Sequence, residues 1–386
     1  MTERSYWLGF SSFSGIGPGK FALLIKEFGT AEKAWNASFA ELEKVLGKAL
    51  TPQFVEFRDK FVISDYEKRL KRAGVSYLIL TDKDYPRLLA EIKKPPFVLY
   101  YKGNKDLVIA RSETTKQSIK KIATLPTVTR NDMTIAIVGT RRITEYGRQV
   151  TESLTTDLVN SGFVIVSGLA LGVDATAHKT TIVNKGKTIA VLGCGVNCCY
   201  PRENQQVYDK ILESGGAIVS EYPLSQEPSK GSFPSRNRII SGLSQGVIVT
   251  EGAADSGALY TAKDAFENGR PVFAVPGPIT SSLSQGPHGL IAKGAKLISG
   301  AEDIIKDLGF KIKDLRSDEP FSPTHRGASK EEQRIIDILQ NESMHFDELV
   351  KRTKIPSSKL GSILSLMEMR GIIRGLGSGN FSINNS

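Results

Sequence analysis

From Thr134 onward the chain alternates short, wholly apolar runs with longer amphipathic ones. IAIV, FVIVSG, TIAVLG, AIVSEY, GVIVTEG and PVFAVPG are six runs too short for a helix and rich in Val and Ile, the pattern of strands buried on both faces. Stretches such as GRQVTESLTTDLVN and DATAHKTTIVNK lie between most of them and carry helical spacing. This alternation predicts an α/β, Rossmann-like domain in which a parallel sheet has helices on either side. Upstream of it, VSYLIL, DKDYPRLL and PPFVLYYKG predict two short strands around a helix, so the domain is placed at 74–309.

The flanks read differently. Residues 1–73 keep a helical period and predict a helical domain; the GIGPGK turn within it resembles that of a helix-hairpin-helix module, where backbone amides and a lysine meet a phosphate, although a plain helical turn has the same look. Asn104 to Asp132 is polar and basic with little hydrophobic period, which predicts an insertion or flexible linker. Residues 310–329 are charged and proline-bearing and predict a linker. In 330–386, EEQRIIDILQ, HFDELVKR and SSKLGSILSLMEMRG predict three helices, and IIRGLGSGNFSI two strands around a glycine turn, together a winged helix. The last helix is not basic on its exposed positions, which favours a protein partner over duplex DNA for that module.

Charge adds a partner class. Over 386 residues the net charge is +10, which suits a polyanion such as nucleic acid. The first residues have no basic stretch ahead of a long apolar run, and no segment approaches the ~20 apolar residues of a membrane span. The three cysteines, Cys194, Cys198 and Cys199, are too clustered for a disulfide framework and lack the spacing of a zinc site, so a cytoplasmic protein without a metal or cofactor is expected.

Glycine-rich loops follow the predicted strands: GTRRITEYG, SGLALGVD, GCGVN and EGAADSGALYTA. Such loops let backbone amides approach phosphate at the carboxyl edge of a parallel sheet. Neither GxxxxGK[ST] nor GxGxxG is present, so a P-loop or standard dinucleotide site is not expected. Asp174 and His178 lie four apart on a predicted helix and read as a brace for its start rather than as catalytic groups. Ser167 and Ser256 have no general base at recognisable spacing and read as phosphate donors or turn residues. Within GSFPSRNRIISG, Ser235 is the expected N-cap of a short helix. Arg236 and Arg238, two apart, should not share a face of it; either they hold successive phosphates, or one holds DNA while the other braces the fold. Phe233, near Lys230, suits a base-stacking role or an ordinary place in the core.

The segments DYPRLLAEIKKPPFVLYYKG, IAIVGTRRITEYG, SGLALGVDATAH, LGCGVNCCYPREN, FPSRNRIISGLS, TEGAADSGALYTAKDA and GPHGLIAKGAKLI together closely resemble the DNA processing protein A family, DprA or Smf. The N-terminal helices resemble the family's sterile-alpha-motif-like domain and the tail its winged helix. The resemblance implies a non-enzymatic homodimer that binds and protects single-stranded DNA and loads the RecA recombinase during natural transformation. Carried over by motif, the DNA contacts are Arg141, Ser167, Gly168, Lys230, Phe233, Arg236, Arg238, Ser256 and Gly257, with Ile291 and Leu297 on a dimer or recombinase edge. SGLALGVD departs from the usual SGGARGID-like loop by losing an arginine. The alternative is an enzyme of the lysine-decarboxylase-like phosphoribohydrolases, whose PGGxGTxxE-like loop TEGAADSGALYTA does not match.

Overall fold

Every apolar run from Thr134 onward becomes a strand, and each finds its cover on both sides. In the computed structural model, which describes residues 1–109, 133–310, 330–340, 342–369, 372–377 and 379–383, the chain divides into two compact units, Met1–Leu315 and Arg316–Ser386.

The first unit is built on a nine-stranded sheet. Its strands are β1 (Ser76–Ile79), β2 (Val98–Gly103), β3 (Thr134–Val138), β4 (Val164–Ser167), β5 (Thr188–Val191), β6 (Ala217–Ser220), β7 (Val247–Val249), β8 (Val272–Ala274) and β9 (Lys296–Leu297). They lie in the order β1-β2-β6-β5-β4-β3-β7-β8-β9. β3 to β9 run parallel, while β1 and β2 add an antiparallel extension beyond β6. The chain works outward from β3 through β4, β5 and β6, then returns to the other side of β3 with β7. That reversal makes the β3/β7 boundary a switch point, and the crevice beyond the strand ends there is where open α/β sheets bind ligands.

Alternate residues of each strand feed opposite faces. Ala136, Val138, Val166, Val191, Val219 and Val249 face a core closed by α7 (Arg87–Ala90), α8 (Lys105–Ile109), α12 (Ser232–Gly242), α13 (Ala258–Glu267) and α14 (Gln285–Ala292). Ile135, Ile137, Ile165, Ile248 and Phe273 face the other way, against α9 (Glu145–Asn160), α10 (Val173–Val183) and α15 (Ala301–Asp307). Beyond β5 and β6 this second face continues, with α11 (Gln205–Glu213), into the core of the N-terminal helices α1 (Glu3–Ser11), α2 (Pro18–Phe28), α3 (Ala31–Asn36), α4 (Phe39–Leu46), α5 (Thr51–Lys60) and α6 (Ile63–Arg72). The helices and the sheet therefore share one apolar cluster, to which Tyr100 of β2 and Phe10, Phe21 and Leu70 of the helices all belong. The Tyr66 hydroxyl accepts from the Leu224 amide at 2.8 Å, a further tie across it.

One expectation changes. The supposed insertion does not begin at Asn104: residues 105–109 form α8, and Leu107, Val108 and Ile109 are buried. The rest of that stretch, 110–132, and the 311–329 part of the predicted linker lie outside the described residues.

The second unit holds α16 (Lys330–Leu339), β10 (Met344–His345), α17 (Phe346–Thr353), α18 (Ser357–Met369), β11 (Ile373–Gly377) and β12 (Asn380–Ile383). Ile335, Ile336, Leu349, Leu360, Leu364 and Met367 form its core. The sheet runs β10-β12-β11, so a third strand, anchored by buried Met344, joins the two expected from sequence. It is a winged helix.

Candidate nucleic-acid interface

The loop after β3 is held from beneath by one buried carboxylate. Glu251, just past β7, accepts from the Thr144 amide at 3.0 Å and from its hydroxyl at 2.5 Å. Thr144 in turn caps α9 by accepting from the Gly147 amide. A Cβ at Gly147 would lie 2.0 Å from a Glu251 carboxylate oxygen, so only glycine fits there. The Thr140 amide donates to the Glu251 carbonyl at 2.7 Å and stitches the loop across the switch point. With its inner side fixed, the loop leaves Arg141 and Arg142 exposed.

The loop after β4 is less available than its glycines suggest. Ser167 is fully buried and its hydroxyl donates to the Ile137 carbonyl of neighbouring strand β3 at 2.6 Å. Gly168 is buried as well, and a Cβ on it would fall 1.7 Å from the Arg236 guanidinium. These two residues form the floor that Arg236 lies upon, and the expected Ser167 hydroxyl contact to phosphate is withdrawn. Asp174, at the start of α10, accepts from the Gly168 and Ala170 amides. Burial raises its pKa, opposed by Arg236 and by those amides. Leu169 sits between them at φ 57° and wholly buried. That conformation costs a bulky residue about 1–3 kcal/mol, offset by its place in the core. Leu171 in the same loop is 40% exposed.

α12 starts earlier than expected. Gly231, not Ser235, is the N-cap, and Pro234 falls in the first turn, where a missing N–H costs nothing. From this helix Arg236 and Arg238 point to separate places, and both point inward. Arg236 is 5% exposed and donates to the Val191 carbonyl at 2.8 Å. Its Nε has no partner among the described residues. Burial lowers its pKa, Asp174 opposes this, and Arg141 adds to it. Arg238 is ion-paired with Glu221 and donates to the Lys94 carbonyl at 2.7 Å. Arg238 is thus a brace between α12, the end of β6 and the segment before β2, and both guanidiniums bond interior groups instead of lining the rim as the motif implied. Arg236 still places positive charge under the rim.

What the rim does present is a cation beside aromatic rings. Lys230 is exposed. Phe233 is half-buried, with the Arg141 guanidinium 5.5 Å from its ring centre. The Tyr200 ring lies 5.4 Å from it on the other flanking loop. At the start of α13, Ser256 is half-buried and Gly257 exposed, the latter's carbonyl accepting from the Asn237 side chain at 3.1 Å. Ile291 packs partly on the core from α14, while Leu297, on edge strand β9, is 55% exposed. Both belong to the far edge of the sheet rather than to the rim. Arg142 and Tyr200 were not singled out from sequence; their signal was only that each lies in a loop at a strand's carboxyl end.

Asp174 and His178 do share α10, but their hydrogen bonds go to different partners. His178 is fully buried, with Nδ1 2.7 Å from the Thr188 hydroxyl. Burial, and then Arg236, push its pKa down to about 3. Below the ordinary value near 6.5 the unfolded chain takes up a proton that the folded chain refuses, so this group removes stability as pH falls from about 6.5 toward 3, by up to ~1.4 kcal/mol per pH unit. Urea denaturation at pH 7 and pH 5 should therefore show a smaller acid loss for His178→Gln than for wild type. Equal losses would place the acid sensitivity elsewhere.

Comparison with known proteins now identifies the lineage. Residues 126–309 match the family described as DNA recombination-mediator protein A, and residues 319–379 match the DprA winged helix domain. The DNA processing protein DprA of Bacillus subtilis is 39% identical over 281 residues, spanning 72% of this chain and 85% of that protein. This chain belongs to the DprA/Smf family. Among solved structures, DNA processing protein A of Streptococcus pneumoniae superposes with a TM-score of 0.64 at 32% identity, covering 81% of this chain and 99% of the other. DNA processing protein A of Helicobacter pylori, whose structure concerns its single-stranded DNA binding mode, gives a TM-score of 0.50 at 32% identity, covering 63% and 97%. Among the described residues of this DprA/Smf protein, no helix is long and apolar enough to cross a membrane.

Proposed function

We propose that this chain is a single-stranded DNA-binding recombination mediator, which protects DNA entering recombination and loads the RecA recombinase onto it, without catalysing a reaction itself. The observation that carries the reading is the Arg141 guanidinium set over the half-buried ring of Phe233 at the sheet's switch point. A cation tracks the phosphate backbone, and an aromatic face beside it takes a base. Bases paired in a duplex do not offer that face, so the arrangement favours single strands. Arg142 and Lys230 extend the exposed charge, and the net +10 of the chain adds long-range attraction. The Helicobacter pylori relative, studied for its single-stranded DNA binding, supports the same assignment.

A non-enzymatic role fits the placement of the polar side chains. The Ser167 hydroxyl is spent on a backbone carbonyl and His178 is buried against Thr188, so neither is poised as nucleophile or base. The exposed Leu297 on edge strand β9 supports self-association through that edge, and a cytoplasmic location follows from the proposed partners. The loading step is tested with oligo-dT already covered by single-strand-binding protein, following RecA ATP hydrolysis. Addition of this chain should shorten the lag before hydrolysis. An unchanged lag would remove the loading role, and release of free base from a nucleoside monophosphate would instead favour the phosphoribohydrolase reading.

A further inference from the structure

Tyr200 is 44% exposed, and among the described residues its hydroxyl has no hydrogen-bond partner. No described residue bonds to the open part of this side chain. Its position is nonetheless well fixed. In the segment that leads to it, the Cys194 thiol donates to the Cys198 carbonyl at 2.9 Å, and the Tyr208 hydroxyl donates to the Val196 carbonyl at 2.6 Å. Just after it, buried Asn204 donates to the carbonyls of Leu169 and Ala170 at 2.9 and 3.1 Å. The Tyr200 loop is thereby tied to the loop after β4, which carries the exposed Leu171. An aromatic side chain presented on a backbone this well bonded loses little freedom when it is covered.

Its neighbour supplies the direction. The Tyr200 and Phe233 ring centres are 5.4 Å apart and the planes inclined by 38°. Successive bases need about 3.4 Å each along a strand, so there is no room to slide a base between these rings as they stand. The open surface of Tyr200 is what remains for a base.

We infer that Tyr200 is a second base-contacting residue, taking the base next to the one at Phe233. This rests on the single-stranded DNA reading given above. It adds an uncharged, base-dependent contribution to a site whose other exposed groups, Arg141, Arg142 and Lys230, act through charge.

The test compares wild type, Tyr200→Ala and Tyr200→Phe by fluorescence anisotropy on labelled oligo-dT and on an abasic strand of equal length. The Tyr200→Ala protein should bind oligo-dT about tenfold more weakly and the abasic strand within about twofold of wild type, with Tyr200→Phe close to wild type on both. To separate direct contact from support of Phe233, the same substitution is made in a Phe233→Ala background, where it should still weaken oligo-dT binding. If the loss disappears in that background, or is equal on the abasic strand, Tyr200 is not a base contact. Wild type that binds oligo-dT while Tyr200→Ala binds it equally well overturns this inference alone. Wild type that fails to bind oligo-dT overturns the underlying reading and this inference with it. Matching urea midpoints for the variants establish that each is folded.

Discussion

Arg238→Ala should destabilise the protein by about 3–5 kcal/mol, the cost of breaking a buried ion pair from one side. Arg238 and Glu221 are only 15% and 11% exposed in their side chains. Burial already raises the Glu221 pKa, with Arg238 as the opposing influence. One Glu221 oxygen has no partner among the described residues, so removal of the guanidinium leaves a carboxylate with no cation beside it, and the Lys94 carbonyl loses its donor. The sign of the pH dependence follows. A folded-state pKa raised above the unfolded value near 4.5 means that the folded protein holds the proton more tightly. Stability from this group is then greatest at low pH and is lost as pH rises through the folded value. Without Arg238 that value rises further, so the deficit of the variant should be larger at pH 7 than at pH 5. Replacing both partners, as Glu221→Leu with Arg238→Leu, should recover much of the loss. Urea denaturation measures all three, and the folded fraction of Arg238→Ala should keep its affinity for DNA within about threefold, in line with a residue that makes no phosphate contact. A large loss of DNA affinity at unchanged stability would return Arg238 to the binding surface.

The two arginines of FPSRNR show where a sequence stops being informative. Their spacing placed them on different faces of a helix, and the bracing half of one alternative, in which one arginine holds DNA while the other braces the fold, fits Arg238. That Arg236 is also interior depends on the missing side chain of Gly168, in a distant segment, and on the Val191 carbonyl at the end of β5. No local pattern reports such a notch. Ser167 misled in a similar way: a serine before glycine at a strand end suggests a phosphate donor, but its buried hydroxyl is bonded to the Ile137 carbonyl of the next strand. The strands themselves were legible because burial on both faces demands unbroken apolar runs. α8 was missed because Leu107, Val108 and Ile109 form a very short apolar run at the head of a long polar stretch. Ser235 drew the helix start too far along, since a proline two residues into α12 is harmless in a first turn. The exposed ring of Tyr200 was hidden inside a segment read mainly for its cysteines and glycines.

On the proposed function, the rim at the switch point binds single strands through Arg141 and its aromatic neighbours. Arg141 is exposed, rests near Phe233 and lies in a loop fixed by Glu251, so Arg141→Ala removes one cation while leaving the loop's hydrogen bonds in place. The most direct measurement is fluorescence anisotropy of labelled oligo-dT and of an equal-length duplex, for wild type and Arg141→Ala, across a salt series. Wild type should prefer the single strand, with affinity falling steeply as salt rises. Arg141→Ala should bind about tenfold more weakly at low salt, and its slope of log affinity against log salt should be shallower by about 0.7, the value for one phosphate contact on a single strand. Equal affinity for strand and duplex, or an Arg141→Ala protein with unchanged affinity and slope, would contradict the assignment of this rim as the DNA site.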